Sequence, residues 1–111
     1  ALLAYEKVVE LNPTDLEAWL DYSSVMYEQS KLAEAIVIIA DAIKHNPDGA
    51  ELYYRMVAYM IASGRYNDAF NYLEMALSAE PAKYPILFEY LPQLQGNAAI
   101  MEIIKKHNPE A

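Results

Sequence analysis

Two histidines, His45 and His107, and a set of scattered carboxylates are the side chains of this chain with the chemistry to move protons or hold a metal. Each histidine stands in a Lys-His-Asn-Pro run, at Lys44–Pro47 and Lys106–Pro109. A partly cationic ring at the end of a helix complements the negative pole of the peptide dipole, and that is the role both are assigned here. Glu10, Glu28, Glu34, Asp41, Glu74 and Glu102 fall on polar helix faces and read as solvated surface. Cysteine is absent, which leaves no thiolate nucleophile, thiolate metal site or disulfide and keeps the compartment open. Glycine occurs only at 49, 64 and 96, too sparse for a phosphate-cradling loop. No catalytic residue, metal site or cofactor is therefore expected. The net charge of −8, from 16 acids against 8 bases, repels phosphate backbones and anionic lipid, so neither nucleic acid nor a membrane surface is an expected partner. The longest apolar stretch, Ala35 to Ala40, is far short of the ~20 residues that cross a bilayer.

The elements that position these residues follow from punctuation. Pro13, Pro47 and Pro81 are separated by 34 residues each, and Pro109 follows after 28. A fixed period in this range marks a solenoid, whose units bury their apolar faces only by stacking. Leu16, Trp19, Leu20, Tyr22, Val25, Met26 and Tyr27 recur at helical spacing, and Leu32, Ala35, Ile36, Ile39, Ala42 and Ile43 do so again after the polar break Gln29-Ser30-Lys31. One period later, Leu52–Met60 and Tyr66–Leu77 repeat the pattern around Ser63-Gly64-Arg65. Thr14 with Glu17 and Asp48 with Glu51 have the spacing of capping boxes, and Ser30 is an expected N-cap for the helix after it. Past Pro81 the pattern decays. Pro85 suits the first turn of a short helix that Pro92 must end, Gln93 to Gly96 reads as a loop, and Asn97 caps a last helix.

These positions resemble the tetratricopeptide repeat. Trp19 and Tyr53 match its large aromatic early in the first helix. Ala35 and Ala69, then Ala42 and Ala76, match its small residues in the second, and Pro47 and Pro81 its closing proline. Short side chains there let helices approach to ~8 Å. The chain departs from the family at Ser23 and Val57, where Gly is common, and at Met26 and Met60, where Tyr is common. The implied fold is an all-α, right-handed α-α superhelix of antiparallel helix hairpins, about seven helices in one domain. Residues 1–13 would be the second helix of a truncated repeat, 14–47 and 48–81 two repeats, and 82–111 a degenerate C-terminal capping unit. The Leu-Phe-Glu-Tyr-Leu-Pro stretch before the last helix is similar to the ends of long repeat proteins of Bacteroidetes. Lacking an initiator Met and starting in mid-pattern, the chain is expected to be the C-terminal part of a longer array.

Ten tyrosines are the strongest compositional feature. Tyr22, Tyr53, Tyr59, Tyr66 and Tyr72 read as packing residues, whereas Tyr27 and Tyr54 lie off the main inter-helix stripe. In the family the first helices line a concave groove. The resemblance implies a groove of Glu17, Leu20, Ser24, Tyr27 and Glu28, continued by Glu51, Tyr54, Arg55, Ala58 and Ile61. Asp21 and Arg55, one period apart, are expected to pair across neighbouring helices. With one Arg among several carboxylates, this surface does not fit the Lys/Asn clamp by which a chaperone-binding subset holds a C-terminal carboxylate, and its acid bias favours a basic or apolar-aromatic ligand. The implied function is a non-catalytic scaffold for a peptide or protein partner. Two other readings stand beside it: self-association as a homodimer through Leu2, Leu3, Tyr5 and Val9 of an opening helix apolar on several faces, or service as the accessory domain of a larger enzyme.

Overall fold

The structure, a computed structural model, describes residues 2–111, with side chains from residue 4 onward. Seven α-helices follow one another: α1 (Leu2–Leu11), α2 (Leu16–Glu28), α3 (Leu32–His45), α4 (Ala50–Ala62), α5 (Tyr66–Ala79), α6 (Pro85–Tyr90) and α7 (Ala98–His107). Two 3-10 turns, Pro81–Lys83 and Pro92–Gly96, flank α6. The stretch after Pro92 is thus helical in a tighter form, not an open loop. Helices α2 and α3 make one antiparallel hairpin and α4 and α5 the next, stacked into an all-α solenoid 42 × 26 × 20 Å. Among the described residues there is no strand, and no helix is long and apolar enough to cross a membrane.

Each hairpin bends through the same device. Ser30 and Gly64, one period apart, both take left-handed backbone, with φ of 62° and 78°. The next amide then reaches back five residues, Lys31 N–H to Met26 O and Arg65 N–H to Met60 O, both at 2.9 Å, which closes a Schellman motif. Ser30 therefore ends α2 and does not cap α3. The expected capping boxes are also corrected. The cap of α2 is Asp15, whose carboxylate accepts from Ala18 N–H at 3.2 Å, while Thr14 donates its hydroxyl to Asn12. Helix α4 starts at Gly49 with no side-chain cap. Helix α7 has the expected one, Asn97 Oδ1 accepting from Ile100 N–H at 3.0 Å.

The prolines carry a second repeated device. Trp19 Nε1–H donates to the Pro13 carbonyl, and one period on the Tyr53 hydroxyl donates to the Pro47 carbonyl, each at 2.8 Å. Asn46 Nδ2 also donates to Pro13 O at 2.8 Å, and Asn108 Nδ2 leans toward Pro81 O at 3.5 Å. The recurrent Asn-Pro text is thus a latch in which the Asn side chain closing one unit holds the carbonyl of the proline that opened it. Ala35, Ala42, Ala69 and Ala76 are fully buried at the helix crossings, where their short side chains permit close approach.

Candidate functional site

Helices α2 and α4 open successive hairpins, α6 opens the unit after them, and α4 packs beside both. Their C-terminal halves enclose a cavity of about 230 Å³. Ser24, Tyr27 and Glu28 line it from α2, Arg55, Ala58 and Tyr59 from α4, and Tyr90 and Leu91 from the end of α6. Arg55 lies at its centre. Its Nη1 donates to the Ser24 hydroxyl and, at 3.3 Å, to the Tyr59 hydroxyl, and its guanidinium carbon lies 4.4 Å from the centroid of the Tyr90 ring. Burial works against the Arg55 charge, but the Tyr59 hydrogen bond and Tyr90 outweigh it and leave the guanidinium pKa above its ordinary value. Burial likewise pushes the Tyr90 phenol up.

Beneath the cavity the hydroxyls form an ordered chain. Ser23 is fully buried and spends its proton on Leu20 O at 3.0 Å. The 2.9 Å contact between Ser23 and Tyr59 must then be the Tyr59 hydroxyl donating to Ser23 Oγ, which leaves Tyr59 Oη to accept from Arg55. Tyr27 stands at the outer wall, 44% exposed, its ring 5.4 Å from that of Tyr59.

Of the residues expected along the groove, the cavity unites Ser24, Tyr27, Glu28, Arg55 and Ala58. Glu17 is exposed on the same helix but outside the cavity, and Glu51 and Ile61 are half-buried. Two expectations are overturned. Leu20 is buried, and Tyr54 has no exposed surface at all, with its hydroxyl donating to Glu80 O at 2.9 Å. Burial, with nearby Glu80, raises the Tyr54 phenol pKa well above its ordinary value. Both belong to the core for one angular reason: 17, 21, 24 and 28 share a helix face, and position 20 lies about 100° before 21, turned toward the neighbouring helix. One period on, 54 stands to 55 as 20 stands to 21.

The Asp21–Arg55 ion pair does not form, and Asp21 is exposed. Tyr66, expected in the core, is 51% exposed. On α1, Val9 is buried against the core and Tyr5 is half-buried, its ring 6.1 Å from that of Tyr22, so neither offers an open self-association surface. The side chains of Leu2 and Leu3 lie outside the described residues. His45 Nδ1 meets Asp41 O at 3.0 Å, His107 Nε2 meets Glu74 at 2.8 Å, and no cluster among the described residues could hold a metal.

The cavity residues missed in the sequence are Tyr59, Tyr90 and Leu91. A signal for Tyr90 was available: one period after Arg55 the chain reads Glu89-Tyr90, so the cap's first helix presents an aromatic beside that cation. Tyr59 is both core and wall, a dual placement that periodicity alone does not disclose.

Comparison with known proteins agrees with the architecture. Residues 1–58 match the family described as "Tetratricopeptide repeat". The curated relatives include "Tetratricopeptide repeat protein 7B" of Mus musculus and the protein of the same description from Homo sapiens. Each is 30% identical over 88 residues, covering 79% of this chain. The chain spans about a tenth of the length of these relatives.

Proposed function

This chain belongs to the tetratricopeptide repeat family, whose repeats generally mediate protein–protein contacts as non-catalytic scaffolds, and we propose that its concave face of α2, α4 and α6 receives a peptide or partner domain. The observation that carries the reading is the cavity at Arg55. Its concave site, apolar in most of its lining and holding Arg55, Glu28 and a half-exposed tyrosine, has the composition of an interface anchor point. The stacked hairpins hold that surface in place before a ligand arrives, so binding costs little ordering. Tyr27 is the wall residue with the most to offer a partner and the least to offer the core. Tyr27→Ala is expected to weaken capture of a native-source partner by about tenfold while leaving thermal melting nearly unchanged. Capture that survives the substitution intact would remove the concave face from the account.

A second reading rests on α1, where Val8 and Leu11 are 41% and 81% exposed. A copy of the same chain covering them would make a homodimer. Sedimentation would show a concentration-dependent dimer that Leu11→Glu abolishes; a monomer at every concentration excludes it.

A further inference from the structure

Arg55 is a half-buried cation in a chain with twice as many acids as bases, yet among the described residues no carboxylate lies within 4.0 Å of it. Its partners are all neutral: the Ser24 and Tyr59 hydroxyls and the Tyr90 ring face. Both hydrogen bonds leave from Nη1, and Nε–H, sealed from solvent, has no acceptor. A guanidinium so placed retains its charge and lacks a counter-charge, an arrangement that is costly unless something supplies one. The hydroxyl chain from Tyr59 through Ser23 to Leu20 is directional, with every proton pointing away from Arg55 and every oxygen toward it. The site is therefore polarised around a fixed positive charge.

We propose that the cavity is a receptor for the side-chain carboxylate of a Glu or Asp in a bound peptide, with Arg55 as its counter-charge and Tyr27 and Leu91 as its apolar walls. The inference rests on the concave face being the binding surface, and it reverses the ligand character expected from the sequence, because the Asp21 pairing that would have neutralised Arg55 does not exist. A cationic ligand group would meet the guanidinium head-on. A dianionic phosphate would find one cation only, with the Glu28 carboxylate on the cavity wall and Glu51 close to Tyr90. A single carboxylate matches the single positive charge, and the Nη2 hydrogens, which make no hydrogen bond among the described residues, are the guanidinium donors left to meet it.

The test uses the whole chain and three small probes. N-acetyl-glutamate α-amide carries its carboxylate on the side chain, N-acetyl-glutamine α-amide is its neutral isostere, and N-acetyl-glutamine with a free α-carboxylate mimics a chain terminus. Followed by NMR, the first is expected to shift the Arg55 Nε–H and the Tyr27 and Tyr59 ring signals saturably, about tenfold more tightly than the neutral isostere. Equal shifts from both, or no saturable shift, overturn the proposal, and tighter binding of the free terminus overturns the side-chain assignment. Arg55→Lys, which keeps the charge but loses the planar guanidinium and its Nη2 donors, is expected to lose the same factor. The wild-type titration stands even if that variant folds poorly. Random dodecapeptides displayed without a free C-terminus separate this inference from the reading beneath it. Binders mapping to the concave face with enriched Glu or Asp, and weakened by Arg55→Lys, support both. Concave-face binders with no acidic enrichment sink the carboxylate site and leave peptide binding standing, whereas no concave-face binder at all overturns both.

Discussion

Ser30 and Gly64 occupy the same place in consecutive hairpins, and only one of them suits it. A left-handed residue with a Cβ is strained where glycine is not, and a Cβ added at Gly64 would meet nothing within 4 Å, so conformation alone decides. Ser30→Gly is accordingly expected to stabilise the chain by about 0.5–1 kcal/mol, and Gly64→Ala to destabilise it by about 1 kcal/mol. Urea midpoints measured at unchanged slope would check both, and a loss of stability in Ser30→Gly would contradict the assignment. The turn at Gln29-Ser30-Lys31 was legible as a break, but which residue turned left was not, because serine reads equally well as a cap. Tyr54 was misread for a related reason. A tyrosine one position away from a concave stripe differs from it by an angle that text does not display. Tyr59→Phe removes the hydroxyl that satisfies Ser23 and accepts from Arg55, and is expected to cost about 1–2 kcal/mol in equilibrium unfolding. A neutral outcome would mean that the buried network does not hold α2 to α4.

Helix positions were legible because apolar spacing and proline breaks are local, and the ends of α2, α3, α4 and α5 fall where those signals put them. What joins one element to the next was less so. Helix α7 docks on α5 through Glu74, which accepts from His107 at 2.8 Å and meets Lys106 at 3.3 Å. The His107 hydrogen bond is the main cause that holds the Glu74 carboxyl below its ordinary pKa, with Lys106 adding to it. A carboxylate with a depressed folded pKa contributes stability that is present above its unfolded pKa and lost as pH falls through the folded one. Glu74→Gln should therefore lower the melting temperature near neutral pH, and the gap to wild type should close as the solution is acidified below the ordinary carboxylate range. A gap that persists in strong acid would place the effect in packing and not in charge.

For the molecule as a whole, the array was legible in the proline period and its groove only in part, since Tyr90 reaches Arg55 from a cap whose shortened helix breaks the period. Protection should be uneven along the solenoid. Helix α4 is enclosed by α3, α5 and α6 and has eight buried residues, whereas α1 rests on α2. Amide exchange is expected to be slowest in α4 and fastest in α1, and the reverse order would contradict sequential stacking. The proline latches have one further consequence. Each unit brings a carbonyl at its opening proline and, at Trp19 or Tyr53, the ring donor that occupies it. The hydrogen bonds of the proline latches therefore close within each 34-residue step, from Pro13 to Pro47 and from Pro47 to Pro81. A duplication or deletion of one whole step conserves that pairing, while a break between a proline and its donor six residues on leaves the donor without its carbonyl. Whole steps are thus the increments by which the array grows or shrinks with every latch intact.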